Sequence, residues 1–473
     1  MDINISKKDV LWGYFATFFS IGTGLITLPL ILNKLSAEEV GMNYLMLSVS
    51  SFISLLECNF AGLIGRNITY VFSGAQTLEK EGIEGMRGGK VINYHLLATI
   101  IDTARFIYCR ISFLIFFVMI TAGSVYMWNV TNGFINVDNS LTIWLFYSIS
   151  VYFNIYYMYY NSLLVGAARI MEQKKAMVYS KIVYILICYV MLFRGWGLMS
   201  VVIANLISPF VSRFYSWRKF YTPEIKRNLK GQIVEKTEMH RTFKVLWFSA
   251  RKLMVNSVGS YLCIHAGMFI AGLFLSLSEV GSYGLMLQLF SILSSLAANL
   301  VSAYEPLFCK LRVQGDMENL RKKFSLSLFV MYVVFFVGGI FIILAGDWLL
   351  TIVRSKSVLP ATYIMVFFFI NQILTTNHSY CAVFIATGNH IPFVKASVVA
   401  GVFIVAFSLL FLYFTNWGVF SLVFAQLMVH IAYNHWRWPL WVMHELDFTF
   451  IQFLTTGYRE TQNMVHRLLI KVI

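Results

Sequence analysis

The stretch Leu35-Ser36-Ala37-Glu38-Glu39-Val40-Gly41 decides the fold, because a similar stretch, Leu275-Ser276-Leu277-Ser278-Glu279-Val280-Gly281, follows it 240 residues later. Each stretch leads into a Leu-Met-Leu triplet, at 45–47 and at 285–287. The likeness continues through the next apolar segment, in the pairs Ser51 and Ser291, Ser54 and Ser294, Leu56 and Leu296, and Asn59 and Asn299. The sequence therefore contains two copies of one ancestral unit.

Composition places both copies in a membrane. Of the 473 residues, 58% are hydrophobic, 17% are aromatic and only 12% are charged, and the mean hydropathy is +0.70. A soluble core cannot bury that much apolar surface. The sequence predicts an all-α polytopic membrane protein. Two similar halves in such a protein indicate lobes that rock about a central cavity near the bilayer midplane, which is the behaviour of a transporter.

Twelve apolar segments are each long enough to cross the hydrocarbon, which takes roughly 20 residues. The predicted spans are 10–33, 41–66, 98–127, 140–165, 176–194, 197–217, 245–274, 280–308, 324–346, 357–387, 392–414 and 417–441. Six spans per half is an even number, so the two pseudo-symmetric six-helix lobes share one orientation. The first run, Val10 to Leu32, has no cleavage site after it and is expected to remain as a membrane helix.

The predicted domains follow from these spans. The N-terminal lobe covers 1–219, a cytoplasmic inter-lobe loop covers 220–243, the C-terminal lobe covers 244–442, and a tail covers 443–473. Apolar and basic residues of the tail fall on different faces, which predicts an interfacial amphipathic helix.

Basic residues orient the chain. Most of them, including a cluster from Arg218 to Lys244, fall in one set of loops, whereas the opposite set carries only Lys34, Arg194, Arg354 and Lys356. By the positive-inside rule both termini are cytoplasmic. The net charge of +15 is then a topology signal that faces the anionic lipids of the inner leaflet, and no nucleic-acid partner is expected.

No pattern in the chain indicates catalysis or a metal. The six cysteines lie within or beside apolar runs, so neither disulfides nor a metal site is expected. Phosphate-binding loops, zinc motifs, nucleophile elbows and paired carboxylates are absent, and the outer loops are short. The protein is not expected to be an enzyme or to hold a cofactor. A proton or Na⁺ gradient is the expected energy source.

Glu57 is the most unusual residue of the apolar spans. On a continuous helix it lies roughly 24 Å from the outer end and about 14 Å from the inner end. The repeat places Ala297 opposite it, so the carboxylate is not part of the shared scaffold. Two interpretations remain open, namely a cavity-facing group that binds a proton or Na⁺, and a group that pairs with a neighbouring helix.

Four further residues are candidate substrate ligands. Arg251 and Lys252 enter the seventh span with Asn256 along one stripe, so one cation is expected to bind an anion while the other snorkels to the interface. Asn299 belongs to a polar face of the eighth span, which lines either water or a closely packed helix.

Arg66 and Glu305 lie at equal depth in the two halves, because the repeat places Glu305 opposite Gly65. They are predicted to form a salt bridge that closes the inner mouth, with Arg66 also available to substrate. The alternative is that Arg66 meets lipid phosphates.

Other polar groups in the spans have plainer interpretations. His378, as a lone intramembrane histidine, is typical of a packing residue. Asp102 and Arg105 form an i, i+3 pair that is typical of a solvated helix entrance. The tyrosines of the fourth span, from Tyr152 to Tyr160, stack on sugars or form an interfacial belt, and their presence on all faces favours the belt.

Several of these stretches resemble one family. Val10 to Leu32, the turn at 35–41, Glu57-Cys58-Asn59-Phe60 leading to Gly65-Arg66, and Pro306 through Gly315-Asp316 are similar to the O-antigen type of polysaccharide flippase. These flippases belong to the multidrug/oligosaccharidyl-lipid/polysaccharide exporter superfamily. This chain has Glu57-Cys58-Asn59 where the family has an Asp-Leu-Gly-like sequence.

The resemblance implies a function. Such flippases move an undecaprenyl-pyrophosphate-linked oligosaccharide repeat unit across the bacterial inner membrane, by alternating access coupled to an ion gradient. It also implies a polysaccharide polymerase and a chain-length regulator as partners. Substrate is then expected at Arg66, Arg251, Lys252, Asn256 and Asn299, with Glu57 as the ion-coupling residue.

Three alternatives remain open. A multidrug exporter of the same superfamily needs an acidic cavity for organic cations, which Arg66, Arg251 and Lys252 disfavour. An oligosaccharide polymerase or ligase needs a long outer loop, which this chain lacks. A lipid II flippase is expected to have two further helices.

Overall fold

The computed structural model describes residues 7–57, 59–80, 91–388 and 391–472, and these residues are helical without strands. The described helices of the N-terminal half are α1 (Lys7–Lys34), α2 (Ala37–Leu56), α3 (Phe60–Phe72), α4 (Tyr94–Val118), α5 (Ser124–Val130), α6 (Ser140–Tyr156), α7 (Tyr159–Gly166), α8 (Ile170–Phe193), α9 (Leu198–Phe220) and α10 (Pro223–Leu229). Those that follow are α11 (Lys236–Ile264), α12 (Ala266–Phe274), α13 (Leu277–Gln314), α14 (Met317–Ile352), α15 (Thr362–Ala386), α16 (Phe393–Phe414), α17 (Val419–Ala432), α18 (Asn434–Leu446) and α19 (Phe450–Val472).

Every predicted span coincides with one of these helices or with consecutive ones. Within the described residues, seven helical segments are by themselves long and apolar enough to cross a membrane, or eight if the bent pair α11 and α12 is one span. The second, fourth and twelfth predicted spans are each divided between two shorter helices, α2 with α3, α6 with α7, and α17 with α18. The tenth is one helix that carries Asn371, Gln372, Asn377 and His378 among its apolar residues. The all-helical membrane fold is confirmed.

The chain divides into two compact units. Unit 1 comprises Met1–Val258 with Val353–Lys356, and unit 2 comprises Gly259–Ile352 with Ser357–Ile473. The division falls inside α11. The segment predicted as an inter-lobe loop, 220–243, lies within unit 1 and contains α10 and the first turns of α11.

The repeat that decides the fold is a repeated helix start. Ser36 caps α2 by accepting a hydrogen bond from the Glu39 backbone N–H, and the Glu39 side chain accepts from the Ser36 backbone N–H. Ser276 and Glu279 do the same for α13. Two orphan donors are satisfied reciprocally at each start, which explains why Ser-x-x-Glu occurs in both halves.

A Trp-Gly pair also occurs in both halves, and the first of these pairs lies beside the capped start of α2. Trp196-Gly197 and Trp417-Gly418, 221 residues apart, precede α9 and α17. Gly197 has φ 53° and ψ −143°, and Gly418 has φ 55° and ψ −130°, a backbone region that favours glycine. The next N–H after Gly197, that of Leu198, donates to Glu39 Oε1 at 2.8 Å. The Glu39 carboxylate therefore joins the starts of α2 and α9.

Replacing Gly197 with alanine is expected to destabilise unit 1. Backbone strain costs about 1–3 kcal/mol, and an added Cβ would lie 2.4 Å from Glu39 Oε1. At Gly418 the nearest such atom, Glu279 Oε1, is 3.6 Å away, so Gly418→Ala is expected to have the smaller effect. Thermal unfolding of the purified protein in lipid nanodiscs measures both.

The control for this comparison is Gly24→Ala, because Gly24 lies within α1 and nothing stands within 4 Å of an added Cβ. Its unfolding midpoint is expected to stay at or above the wild-type value. Equal midpoints for Gly197→Ala and Gly24→Ala would contradict the role given to Gly197.

Unit 1 is built from helix pairs that are both adjacent and distant in sequence. α1 packs against α8, α8 against α9, α3 against α7, and α4 and α9 against α6. A π turn, Met119–Gly123, joins α4 to α5, and an added Cβ at Gly123 would lie 2.8 Å from the fully buried Trp144 ring. Glycine is required there because the indole occupies the space of a side chain.

Unit 2 has an aromatic core. Its largest fully buried side chains are Tyr283, Phe290, Phe308, Phe324, Phe335, Phe368, Phe384 and Phe453. α19 contributes Phe453, whose ring lies 5.4 Å from that of Phe324 on α14. The described part of the predicted amphipathic tail therefore packs against α14 of its own unit.

Arg312 fastens the ends of three unit 2 helices together. Its guanidinium lies near the end of α13. It donates to Oγ1 of Thr387, just after α15, at 2.8 Å, and to the carbonyl of Phe384, within α15, at 3.2 Å. It also pairs with Glu445 of α18. This arginine counts as a topology signal by sequence, and the structure adds a bracing role.

Arg312→Lys is expected to destabilise unit 2 by about 2 kcal/mol, because a single ammonium cannot reach three acceptors in a fixed fork. The exposed Lys310, two residues earlier, provides the control Lys310→Ala with an expected change within about 0.5 kcal/mol. Chemical unfolding in mixed micelles measures both. Equal stabilities would show that the three contacts add nothing.

Candidate functional site

The second predicted span breaks at Glu57. α2 ends at Leu56, α3 begins at Phe60, and Asn59 between them adopts a left-handed conformation with φ 56°. The prediction of one uninterrupted helix over 41–66 is wrong here, and the physical reason is that a left-handed residue ends the α-helical hydrogen-bond ladder. Cys58 lies outside the described residues.

The break gives the Glu57 carboxylate its partners. Glu57 is 6% exposed. Its Oε1 accepts a hydrogen bond from the Ala61 backbone N–H at 2.6 Å, in the first turn of α3, and another from the Tyr108 hydroxyl of α4. Free N–H groups and the dipole at a helix start favour a negative charge. The start of α3 thus stabilises an acidic side chain within an apolar span.

The other copy of the repeat lacks this break. α13 runs without interruption from Leu277 to Gln314, and Ala297 occupies the position that corresponds to Glu57. Ala297 is buried. The two units therefore share the capped helix start and differ at the carboxylate, which marks Glu57 as a feature of unit 1 beyond the common scaffold.

Arg213 completes this site. It lies in α9, about 10 Å along the helix axis from the end at Phe220. Its guanidinium lies near Tyr108, whose hydroxyl donates to Glu57. The Arg213 Nε is buried, and no described atom accepts its hydrogen bond. A buried guanidinium donor without an acceptor is suited to binding an anion.

Aromatic rings extend from the same site. The Tyr108 ring lies 6.3 Å from that of Tyr159 of α7, which stacks at 4.4 Å on Tyr160. From Tyr160 the series continues through Tyr157 at 6.1 Å to Tyr156 at 4.8 Å. These tyrosines are adjacent to the Glu57 site within unit 1.

Arg105 lies on the same helix as Tyr108. It pairs with Asp102 at 3.2 Å, as the spacing of the two residues predicts, and donates to the Tyr221 hydroxyl at 3.3 Å. Its side chain is half exposed. With Asp102 beside it Arg105 is already neutralised, so Arg213 is the better candidate for an anion.

The structure places the other candidate residues without bringing them to this site. Arg66 is exposed on α3 of unit 1, and Glu305 is exposed on α13 of unit 2. Their salt bridge stays a prediction. Arg251 is exposed on α11, with its guanidinium 4.8 Å from the centre of the Phe248 ring. The side chains of Lys252, Asn256 and Asn299 lie outside the described part of the chain.

Arg213 has no role in the sequence analysis, although the signal was present. It falls within the predicted sixth span, and the rule that singles out Glu57, an ionisable group in an apolar segment, applies equally to it. Its nearness to Arg218 places it at the edge of a basic cluster that the positive-inside rule explains.

The fold is shared with solved membrane transporters. No family model and no curated protein matches the chain. A structure of the lipid II flippase MurJ in an inward closed conformation is 14% identical and matches with a TM-score of 0.64, over 98% of this chain and 93% of that one. The chain has a transporter fold.

A second match supports the same conclusion. An inward-facing multidrug resistance MATE family transporter of the MOP superfamily is 13% identical, with a TM-score of 0.62 over 91% of this chain and 95% of that one. The chain thus has the fold of MOP-superfamily transporters and is a multi-pass membrane protein. At these identities the matches concern the fold, so the transported molecule has to be argued from the residues.

Proposed function

We propose that this protein is a flippase for an anionic, lipid-linked oligosaccharide, driven by an ion gradient across a bacterial inner membrane. The proposed cargo is an undecaprenyl-pyrophosphate-linked repeat unit. The observation that carries the proposal is the buried Arg213 donor without an acceptor, beside the Tyr108–Glu57 pair. The resemblance of the first two spans of each half to O-antigen flippases supports the same cargo.

The chemistry of this site matches the two parts of such a cargo. A guanidinium binds phosphate oxygens with two parallel hydrogen bonds, and desolvation inside the membrane strengthens them. The adjoining tyrosines offer flat apolar faces with hydroxyl groups, which sugars bind by stacking and hydrogen bonding. The pyrophosphate of the cargo would thus bind the Arg213 guanidinium, and the adjoining sugar would bind the neighbouring tyrosines.

Ion coupling follows from the position of Glu57. A proton or Na⁺ at this carboxylate removes its negative charge, and Arg213 lies near the Tyr108 hydroxyl that donates to the carboxylate. An anion near Arg213 therefore experiences a different field in the two states of Glu57. This difference in binding free energy is what couples two ligands in one protein.

The second candidate function is multidrug export, which the fold match to a multidrug resistance MATE family transporter supports. The fold does not separate the two cargo classes, because the TM-scores of 0.64 and 0.62 are nearly equal. Lipid II itself is a third cargo, given the match to its flippase. Arg213 disfavours organic cations, because a partly buried cation repels them and attracts a pyrophosphate. It does not separate lipid II from the proposed cargo, since both carry a pyrophosphate.

Purified protein in proteoliposomes tests the proposal. A fluorescent undecaprenyl-pyrophosphate oligosaccharide is placed in both leaflets, and its sidedness is followed with an impermeant glycosidase after a proton or Na⁺ gradient is imposed. Gradient-dependent movement of this lipid, with no movement of ethidium, is expected. Movement of ethidium alone would establish a multidrug exporter, and movement of lipid II in preference to the oligosaccharide would establish a lipid II flippase.

A further inference from the structure

Three histidines meet in unit 2 at the break in the twelfth predicted span. His430 is in the last turn of α17, His435 is in the first turn of α18, and His378 faces them from α15. The three ring centroids are 5.2–5.3 Å apart. His378 is therefore not the lone packing histidine that the sequence suggests.

Two of the rings share a hydrogen bond between equivalent atoms. His378 Nδ1 and His435 Nδ1 are 3.1 Å apart, so one of them donates and the other accepts. His435 Nε2 is buried and has no hydrogen-bond partner among the described residues. The Leu374 carbonyl of α15 also lies within reach of both rings as an acceptor. The pair thus contains one shared proton, one backbone acceptor beside it, and a His435 Nε2 atom without a partner among the described residues.

The third ring is held neutral by its neighbours. Trp438 Nε1 donates to Asn434 Oδ1 at 3.1 Å, so the Asn434 amide faces His430 with its NH₂ group, 3.2 Å from Nδ1. His430 Nδ1 therefore accepts, and its proton is on Nε2. A proton added to His430 Nδ1 would break this chain, which leaves the His378–His435 pair as the place for an added proton.

We propose that the His378–His435 pair is a proton-binding site of unit 2, separate from Glu57 and independent of the cargo proposed above. One added proton binds at Nε2 of whichever ring donates from Nδ1, and makes that ring an imidazolium that donates to Nδ1 of the other. Because the shared proton can move between the two Nδ1 atoms, both neutral tautomers lead to the same singly protonated pair. A second proton is excluded because two imidazolium rings would be 3.1 Å apart at these nitrogens.

The surroundings of the pair provide no counter-charge. The other ionisable groups on the elements around the three rings are Glu279, Tyr283, Tyr304, Glu305, Cys309, Lys310 and Arg312 of α13, Glu318, Arg321, Lys322, Lys323, Tyr332 and Asp347 of α14, Tyr363, Tyr380 and Cys381 of α15, Lys395 and Tyr413 of α16, and Arg437, His444 and Glu445 of α18. Glu445 is paired with Arg312. Among the described residues, no carboxylate forms an ion pair with any of the three rings.

Because no carboxylate of the described residues pairs with the rings, protonation is expected to shift the conformational equilibrium of this region. A buried imidazolium without a carboxylate is unfavourable, so a conformation in which water reaches the rings binds the proton more tightly than the present one. The rings flank Tyr433, where α17 ends and α18 begins. Proton binding therefore favours opening of this break.

Nitrogen-15 NMR of histidine-labelled protein in nanodiscs tests the site directly. Imidazolium and the two neutral tautomers have distinct shifts, and histidine-to-asparagine variants assign the signals of the nine histidines. Because burial disfavours the imidazolium, the pair is expected to take up its one proton per chain as the break opens to water, between about pH 6 and 5. Hydrogen exchange at 430–438, corrected for its intrinsic pH dependence, is expected to rise over the same range.

Substitutions at His378 test whether the midpoint of the His435 titration depends on the shared hydrogen bond or only on burial of the ring. His378→Phe removes the acceptor and is expected to lower the midpoint of the His435 titration by at least about one pH unit, whereas His378→Asn retains an acceptor and is expected to restore it. His444→Asn, at an exposed position of α18, is the control and is expected to change neither.

Three results would overturn the site: neutral rings down to pH 5, uptake of two protons by the pair, or an unchanged midpoint in His378→Phe. The outcome is independent of cargo. A titrating pair in a protein that moves no lipid would keep this site and remove the proposed function, and a working flippase with neutral rings would do the reverse.

Discussion

Arg213→Ala is expected to lower transport of the lipid-linked oligosaccharide by about 10- to 150-fold, the effect of losing a charged hydrogen bond worth about 1.5–3 kcal/mol. Arg213 is half-buried on α9, and its buried Nε lacks an acceptor in the described structure, so an anionic cargo completes its hydrogen bonding. Movement of labelled lipid across proteoliposomes, at saturating and limiting concentrations, measures the loss. Because the guanidinium binds cargo, the loss is expected to be larger at limiting concentration.

Two variants of the same helix sharpen this test. Arg213→Lys keeps the charge but loses the paired donors of the guanidinium, so an intermediate rate is expected. Arg218→Ala removes an exposed cation from the end of α9 and is expected to stay within about twofold of wild type. If Arg213→Ala and Arg218→Ala transport equally well, Arg213 does not bind the cargo.

Glu57→Gln is expected to abolish gradient-driven transport while leaving equilibration of the lipid between leaflets in place. The amide oxygen of glutamine can still accept from the Ala61 N–H and the Tyr108 hydroxyl, so the break between α2 and α3 is retained. What is lost is the charge that a proton or Na⁺ neutralises. Lipid accumulation against its gradient, measured with and without an imposed pH or Na⁺ gradient, shows the difference.

The controls for Glu57 separate coupling from stability. Glu57→Ala leaves a helix-start N–H and a buried tyrosine hydroxyl without acceptors. The free energy of unfolding is therefore expected to be lower than that of the wild type by about 2–4 kcal/mol. Glu79→Gln, at an exposed loop position, is expected to behave as wild type in both assays. Gradient-driven accumulation by Glu57→Gln would assign coupling elsewhere, with the His378–His435 pair as the next group to test.

The helices and their order were predictable from sequence. Apolar runs of about 20 residues and the Ser36 and Ser276 helix starts depend on neighbours within a few turns, so they are visible in one dimension. Glu57 stood out for the same reason, because a carboxylate in an apolar run is a local anomaly. The break at Asn59 was missed, since a left-handed asparagine has no signature strong enough to outweigh the surrounding helical pattern.

The tertiary contacts between side chains were not predictable from the sequence. Tyr108 reaches Glu57 from 51 residues away, and His435 reaches His378 from 57 residues away. Each contact depends on how neighbouring helices are rotated about their axes, and a rotation of 100° per residue places the same side chain in lipid, in the core or at a partner. Sequence periodicity therefore left His378 as a lone histidine and Arg213 as part of a basic cluster.

By itself, the sequence determined that this is a duplicated, all-helical membrane protein with one anomalous carboxylate, because burial in lipid and helix capping are local requirements of each segment. Only the tertiary structure decided which charges have partners. Glu57 gains a helix start and Tyr108, Arg213 nearby has an Nε without an acceptor among the described residues, and three histidines converge at Tyr433. The physical reason is that the energy of a buried polar group is set by the groups it meets in space.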